Sequence, residues 1–148
     1  MPKIDLASVP VKSGSSYPNP HDDAVKARSW QPVGEAGGLT QLGVNYCMVP
    51  PGCWSSQMHA HSHEDEFLIV VAGEGRLVTD QGETILRQGD MAAHPAGGEA
   101  HHIRNEGNTD LVFLVVSNLH DKDDCTYPGI DMKLGPDGIF RHEDGTPY

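Results

Sequence analysis

Residues 58–66 read Met58-His59-Ala60-His61-Ser62-His63-Glu64-Asp65-Glu66, three imidazoles at alternate positions running into three acidic residues. In a β-strand, side chains at i and i+2 share a face at about 6.7 Å separation, so two alternating histidines can close on one ion. Three cannot, because i and i+4 lie about 13 Å apart, farther than two imidazoles bridge. One pair must serve, either His59 with His61 or His61 with His63. Glu66 adds a carboxylate on the far side of the turn.

Working outward, the period on both sides of this stretch is that of strands. Leu42, Val44, Tyr46 and Met48 alternate with Gln41, Gly43, Asn45 and Cys47 before Pro50-Pro51-Gly52 breaks the run. Residues 53–61, 66–71 and 75–79 read as the next three strands, and Asp80-Gln81-Gly82 gives a hairpin signal. Four more short strands are expected over 83–87, 90–94, 101–104 and 111–117, with Gln88-Gly89, Pro95-Ala96-Gly97-Gly98 and Glu106-Gly107-Asn108 between them. About eight strands with close turns predict an all-β sandwich or closed barrel. Residues 1–38, broken by prolines and Gly37-Gly38, predict an irregular arm with a weak helical signal near 22–29. Residues 39–118 predict the barrel, and residues 119–148, rich in Asp, Gly and Pro, an irregular tail of the same domain.

Composition narrows the function. With 148 residues, 17 glycines and 11 prolines, the chain suits one domain of many tight turns. A formal net charge of −11, with Lys and Arg scattered, opposes a nucleic-acid backbone. No apolar run approaches the roughly 18 residues of a membrane span, and residues 1–10 lack a signal-peptide core. Cys47, Cys53 and Cys125 are an odd number at no metal-ligand spacing, which predicts reduced thiols and a cytoplasmic protein. Most of the nine histidines, by contrast, fall from His59 to His102.

The order of these residues resembles the cupin superfamily. Its first motif is matched by Gly52, His59-Ala60-His61, four residues, Glu66, six residues and Gly73, with six rather than five residues between Gly52 and His59. Its second is matched by Gly89, Pro95-Ala96-Gly97, His101 and Asn105, with three rather than two residues between Gly97 and the histidine. The pair His61 and His63 fits the first motif worse, and His102 would break the spacing to Asn105. The resemblance implies a double-stranded β-helix, or jelly-roll barrel, with His59, His61, Glu66 and His101 as metal ligands. A weaker likeness of Trp54-Ser55-Ser56, residues 61–67 and residues 142–148 is to small single-domain bacterial cupins, and it implies no particular substrate.

Three imidazoles and a carboxylate suit one divalent transition metal per chain, Mn, Fe, Ni, Co or Zn, with positions left for water or substrate. The expectation is a metal-dependent enzyme on a small oxygen-rich molecule, an isomerase, a lyase or decarboxylase, or a dioxygenase. The alternative is a non-catalytic small-molecule binding or sensing module. Gln57, on the same face as His59 by alternation, is either a pocket residue that orients a ligand or a core amide. Tyr46 is either core or a pocket hydroxyl. His63, with Glu64 and Asp65, is either an acid–base group or a solvated turn, and Glu66 could act as a base rather than a ligand. His94 lines the mouth without ligating. The unbroken apolar run at 111–116 predicts a strand covered on both faces, by the arm or by the second subunit of a homodimer.

Overall fold

The computed structural model describes residues 3–148. The arm supplies β1 (Lys12–Ser13), β2 (Ser29–Gln31) and a single turn of helix, α1 (Val33–Ala36). The central chain follows as β3 (Leu42–Val49), β4 (Ala60–His61), β5 (Glu66–Ala72), β6 (Glu74–Thr79), β7 (Gly82–Arg87), β8 (Met91–His94), β9 (His101–Arg104) and β10 (Leu111–Asn118). The tail adds β11 (Cys125–Thr126), β12 (Lys133–Leu134) and β13 (Phe140–Arg141). All pairings are antiparallel, in a six-stranded sheet β1-β2-β3-β10-β5-β8, a three-stranded sheet β7-β6-β9 and a four-stranded sheet β13-β12-β11-β4. This is the jelly-roll arrangement expected from the spacing of strands and turns.

The period of two decides which residues meet. On the inner face of the six-stranded sheet, Val49, Leu68, Val70, Leu111 and Phe113 pack against Leu77, Leu86 and Ile103 of the three-stranded sheet and form the main core. A second core gathers Cys125, Tyr127 and Met132 of the tail with Tyr17 of the arm and Phe140 of β13. The tail and the arm, though mostly irregular, are therefore packed onto each other as well as onto the barrel. At the motif glycine Gly73, φ is +74° and an added Cβ would strike the carbonyl of Asp110, so the turn between β5 and β6 accepts no side chain.

Two expectations change. Residues 53–59 do not form a regular strand; β4 is only Ala60–His61, preceded by bends and by isolated bridges from Trp54 to Arg104 and from His59 to His101. The helical signal at 22–29 resolves into turns held by Val25 N–H and Lys26 N–H donating to Asp22 O, and the helix forms instead at α1. Strand β10 has one face in the core and the other in an apolar outer surface. There Val44, Val116, Phe67 and Ala93 form one cross-strand row, and Tyr46, Leu114, Ile69 and Met91 the next. The arm extends the edge of this sheet as β1 and β2, with Gly34 of α1 seated against Val44.

Candidate metal centre

β4 and β5 bring the first motif together across the turn at 62–65. His59, His61 and Glu66 each offer a ligand atom, and these atoms lie within 4.8 Å of one another. His101, at the start of β9, joins through Glu66: its Nε2–H donates to Glu66 Oε1 at 3.1 Å, while His61 Nε2 stands 3.9 Å from Glu66 Oε2. The bridge that brings His101 beside His59 is backbone, His59 N–H to His101 O at 3.2 Å and His101 N–H to His59 O at 2.9 Å.

The outer nitrogens fix the rings. His59 Nδ1–H donates to Gln57 O at 2.9 Å, and His61 Nδ1–H to Asp123 Oδ2 at 2.7 Å. Glu99 O lies 3.5 Å from His101 Nδ1. The rings of His59 and His61 thus direct Nε2 inward, the arrangement in which a second partner sets the tautomer and orientation of a metal-binding histidine. Asp123 also accepts the backbone N–H groups of His63 and Glu64, at 2.8 and 3.1 Å, which ties the tail to the turn after the histidines. His102 is spent elsewhere, its Nδ1–H on Ser56 O at 3.0 Å and its Nε2 accepting from Arg104 Nε–H at 3.1 Å.

The electrostatics match a cation site. Burial would push the Glu66 carboxyl up, but the His101 hydrogen bond and the surrounding imidazoles outweigh it and hold the pKa near about 2. Burial, with His101 beside it, pushes His59 down to about 4. An ionised carboxylate and a neutral imidazole are the forms that ligate, so the donor set fits a divalent ion, and the proton shared by His101 and Glu66 is the one that binding would displace. When bound, such an ion supplies Lewis acidity, polarising a carbonyl and stabilising negative charge on a neighbouring oxygen.

The donors lie in the wall of a cavity of about 360 Å³. Asn45, Cys47, Val115, Ser55 and Ser56 line it from the barrel, Ser16, Tyr17, Arg28 and Trp30 from the arm, and Cys125, Tyr127, Leu134 and Phe140 from the tail. Burial pushes both thiols, Cys47 and Cys125, up to about 12, so neither is a ready nucleophile. His94 lies outside this lining, stacked on His101 with ring centroids 3.4 Å apart, and its buried Nε2 has no hydrogen-bond partner among the described residues.

Several residues singled out from sequence stand elsewhere. Tyr46 is on the outer face of its sheet, because the cavity takes Asn45 and Cys47 from β3. Gln57 donates to His21 O at 2.7 Å and so pins the arm; alternation fails there because the chain is bent, and Ser55 and Ser56 line the cavity together. His63 is exposed, stacked on His120 at 4.7 Å. Asp123 and Arg28 were not anticipated. Asp123 follows β10 in an acidic run that looks like a solvated loop, and Arg28 sits in the arm with no periodic signal around it.

Known proteins agree with this architecture. The cupin domain family matches residues 45–117. A sugar phosphate isomerase of the cupin superfamily from Silicibacter pomeroyi is 39% identical, with 99% of this chain and 96% of that one covered at a TM-score of 0.92. A protein from Acidithiobacillus ferrooxidans, described as a sugar phosphate isomerase assigned by inference, is 30% identical over 78% of this chain and 74% of that one, with a TM-score of 0.73. The oxalate-binding protein of Thermotoga maritima is 42% identical over 71 residues, 46% of this chain, and the match spans only 54% of that relative. The jelly roll, both motifs and an isomerase relative aligned over nearly its whole length lead to one conclusion: the chain belongs to the cupin superfamily.

Proposed function

We propose that this protein is a metal-dependent enzyme that isomerises a small hydroxy-carbonyl compound of the sugar type, with one divalent transition ion, Mn, Fe, Ni, Co or Zn, on His59, His61, Glu66 and His101. The observation that carries the reading is the convergence of His59, His61 and the ionised Glu66, with His101 bonded to that carboxylate, in the wall of a cavity of small-molecule size. Aldose–ketose interconversion moves one proton from the carbon beside the carbonyl to the carbonyl carbon and exchanges hydroxyl for carbonyl. It needs stabilisation of a developing oxyanion and no external oxidant. The isomerase relatives, similar over most of their length, support the same choice.

The test is turnover of an aldose and ketose panel by metal-loaded protein, with Glu66→Gln inactive and His63→Ala active. No interconversion with any metal would overturn the reading. Carbon dioxide release or oxygen uptake in the same assays would indicate decarboxylase or dioxygenase chemistry instead. A second reading, a non-catalytic binder, is favoured by the 42% identity to an oxalate-binding protein; calorimetric oxalate binding without turnover of any substrate would select it.

The protein is further proposed to be a cytoplasmic homodimer. All three cysteines are free. On the outer face of the six-stranded sheet, Phe67 is 43% and Met91 60% exposed within continuous apolar rows. A second copy offers the same rows, so a two-fold pairing would bury both at once. Light scattering at micromolar concentration should give twice the chain mass, and 16.0 kDa alone would refute it. Among the described residues no helix is long and apolar enough to cross a membrane.

A further inference from the structure

Arg28 is the only Lys or Arg among the residues lining the metal cavity. Its guanidinium is fixed from three sides. Nε–H donates to Gly14 O at 3.3 Å, Nη1–H donates to Ser55 O, and Cζ lies 5.5 Å from the Tyr17 ring centroid and 5.9 Å from that of Trp30. Both hydrogen-bond acceptors are neutral carbonyls. Among the described residues no carboxylate pairs with Arg28, whereas Arg76, Arg87 and Arg141 are paired with acids; Arg104 also lacks an acid but stands outside the cavity, on His102 and Trp54. An arginine carries five N–H donors, and only two of these are used.

Half-buried, without an acid partner and lining the cavity, this guanidinium is free to meet an anion that enters. The remaining N–H groups suit the paired oxygens of a phosphate or carboxylate better than a single hydroxyl. Ser16 and Ser29 line the same wall and add hydroxyl donors. Arg28 and the His59, His61 and Glu66 cluster border one cavity, so one molecule can meet both.

We propose that Arg28, with the arm that carries it, is the anion-binding end of the cavity and that the ligand is a phosphate monoester whose oxygen-rich remainder faces His59, His61 and Glu66. This rests on the metal-site reading above and specifies its substrate class. The arm is thereby a determinant of specificity, since it selects by charge what the barrel donors then hold.

The experiment compares binding of D-ribose 5-phosphate, D-ribose and inorganic phosphate to the full metal-loaded chain by calorimetry. Loss of one charge-assisted anion contact corresponds to about a ten- to hundredfold change in affinity. Wild type should prefer the phosphorylated sugar to the plain one by at least about that factor. Arg28→Met should erase the preference while metal affinity stays within about twofold, as expected for an interaction that does not touch the ion. Arg28→Lys should recover part of it, as a point charge without the fork. Equal wild-type affinity for the two sugars would overturn the proposal without any variant, and so would an undiminished preference in Arg28→Met. Because turnover is not the readout, the outcomes separate. A phosphate preference without isomerisation leaves Arg28 in place and removes the isomerase reading, and isomerisation of plain sugars without preference does the reverse.

Discussion

Two walls face each other across the cavity. One is made by β3, β4, β5 and β10 with the bent segment before β4, where His59, His61 and Glu66 are held by backbone pairing and His101 of β9 backs them through Glu66. The other is made by the arm and the tail, tied to the first through the β2–β3 and β11–β4 pairings, where Tyr17, Arg28, Tyr127 and Phe140 come together by side-chain packing. Tyr17 lies edge-on to both Tyr127 and Phe140 at 5.6 Å. The first wall carries chemistry that other cupins share in outline. The second gives this cavity its charge and its aromatic lining. A jelly roll can thus hold one set of metal-ligand side chains in its barrel while its termini line the rest of the cavity.

If chemistry belongs to the first wall, its ligands should dominate every metal measurement. His61→Ala and Glu66→Gln should each cost more metal affinity than the about 10- to 100-fold typical of an outer partner, while His63→Ala stays near wild type. Metal content per chain after dialysis against a weak chelator checks this. Equal losses for His61→Ala and His63→Ala would mean that the wrong pair has been placed on the ion.

The walls should prove equal in stability, which sharpens the contrast in chemistry. Leu111 is 0% exposed in the barrel core and Met132 1% exposed in the arm–tail core. Truncating either to alanine should cost about 2–5 kcal/mol through lost burial and the cavity left behind. Urea unfolding should show one transition in both variants. A separate early transition in Met132→Ala would show that the second wall melts by itself and is an accessory to the barrel.

Asp123 joins the walls, since it belongs to the tail and orients a ligand of the barrel. Asp123→Asn should weaken metal binding by about 10- to 100-fold with little change in melting temperature of the metal-free protein. A thermal loss without a loss of affinity would make Asp123 a clamp on the turn at 62–65 rather than a positioning residue for His61.

The same division explains what could be read in advance. Strands β3, β5, β6, β7, β8, β9 and β10 were visible because their period of two and their Gly, Pro and Asn turns are local properties. Strand spacing leaves the pairs His59–His61 and His61–His63 both open, and the choice of His59 with His61 comes from the resemblance to the cupin motif. The second wall depends on meetings such as those of Tyr17 with Tyr127 and Phe140, more than a hundred positions apart, and short strands of two or three residues leave no period to detect. Gln57 and Tyr46 were misplaced for related reasons. The chain bends through residues 53–59, which breaks alternation at Gln57, and the apolar row that holds Tyr46 is the outer face of its sheet.

The smallest expected effect separates the walls by titration. On the barrel side burial, with His101 nearby, pushes His59 and His94 down to about 4, and Glu66 sits near about 2. On the terminal side burial pushes Cys125 and Tyr127 upward, so they stay neutral throughout the acid range. A depressed histidine contributes stability that is fully present above its ordinary pKa of about 6.5 and lost as pH falls toward its folded value, because the unfolded chain takes up a proton that the folded one refuses. The metal-free protein should therefore melt at a constant temperature above about pH 7 and progressively lower between 6.5 and 4, with Glu66 adding a further loss only below its ordinary value of about 4.5. His94→Phe, which keeps an aromatic ring against His101 and removes one titrating group, should flatten the decline. Added metal should raise the melting temperature at pH 7.5, by binding the folded chain, and raise it less at pH 5, where protons compete for the imidazoles. A gain that widens on acidification, or a decline that His94→Phe leaves as steep, would place the acid-sensitive groups outside the barrel wall.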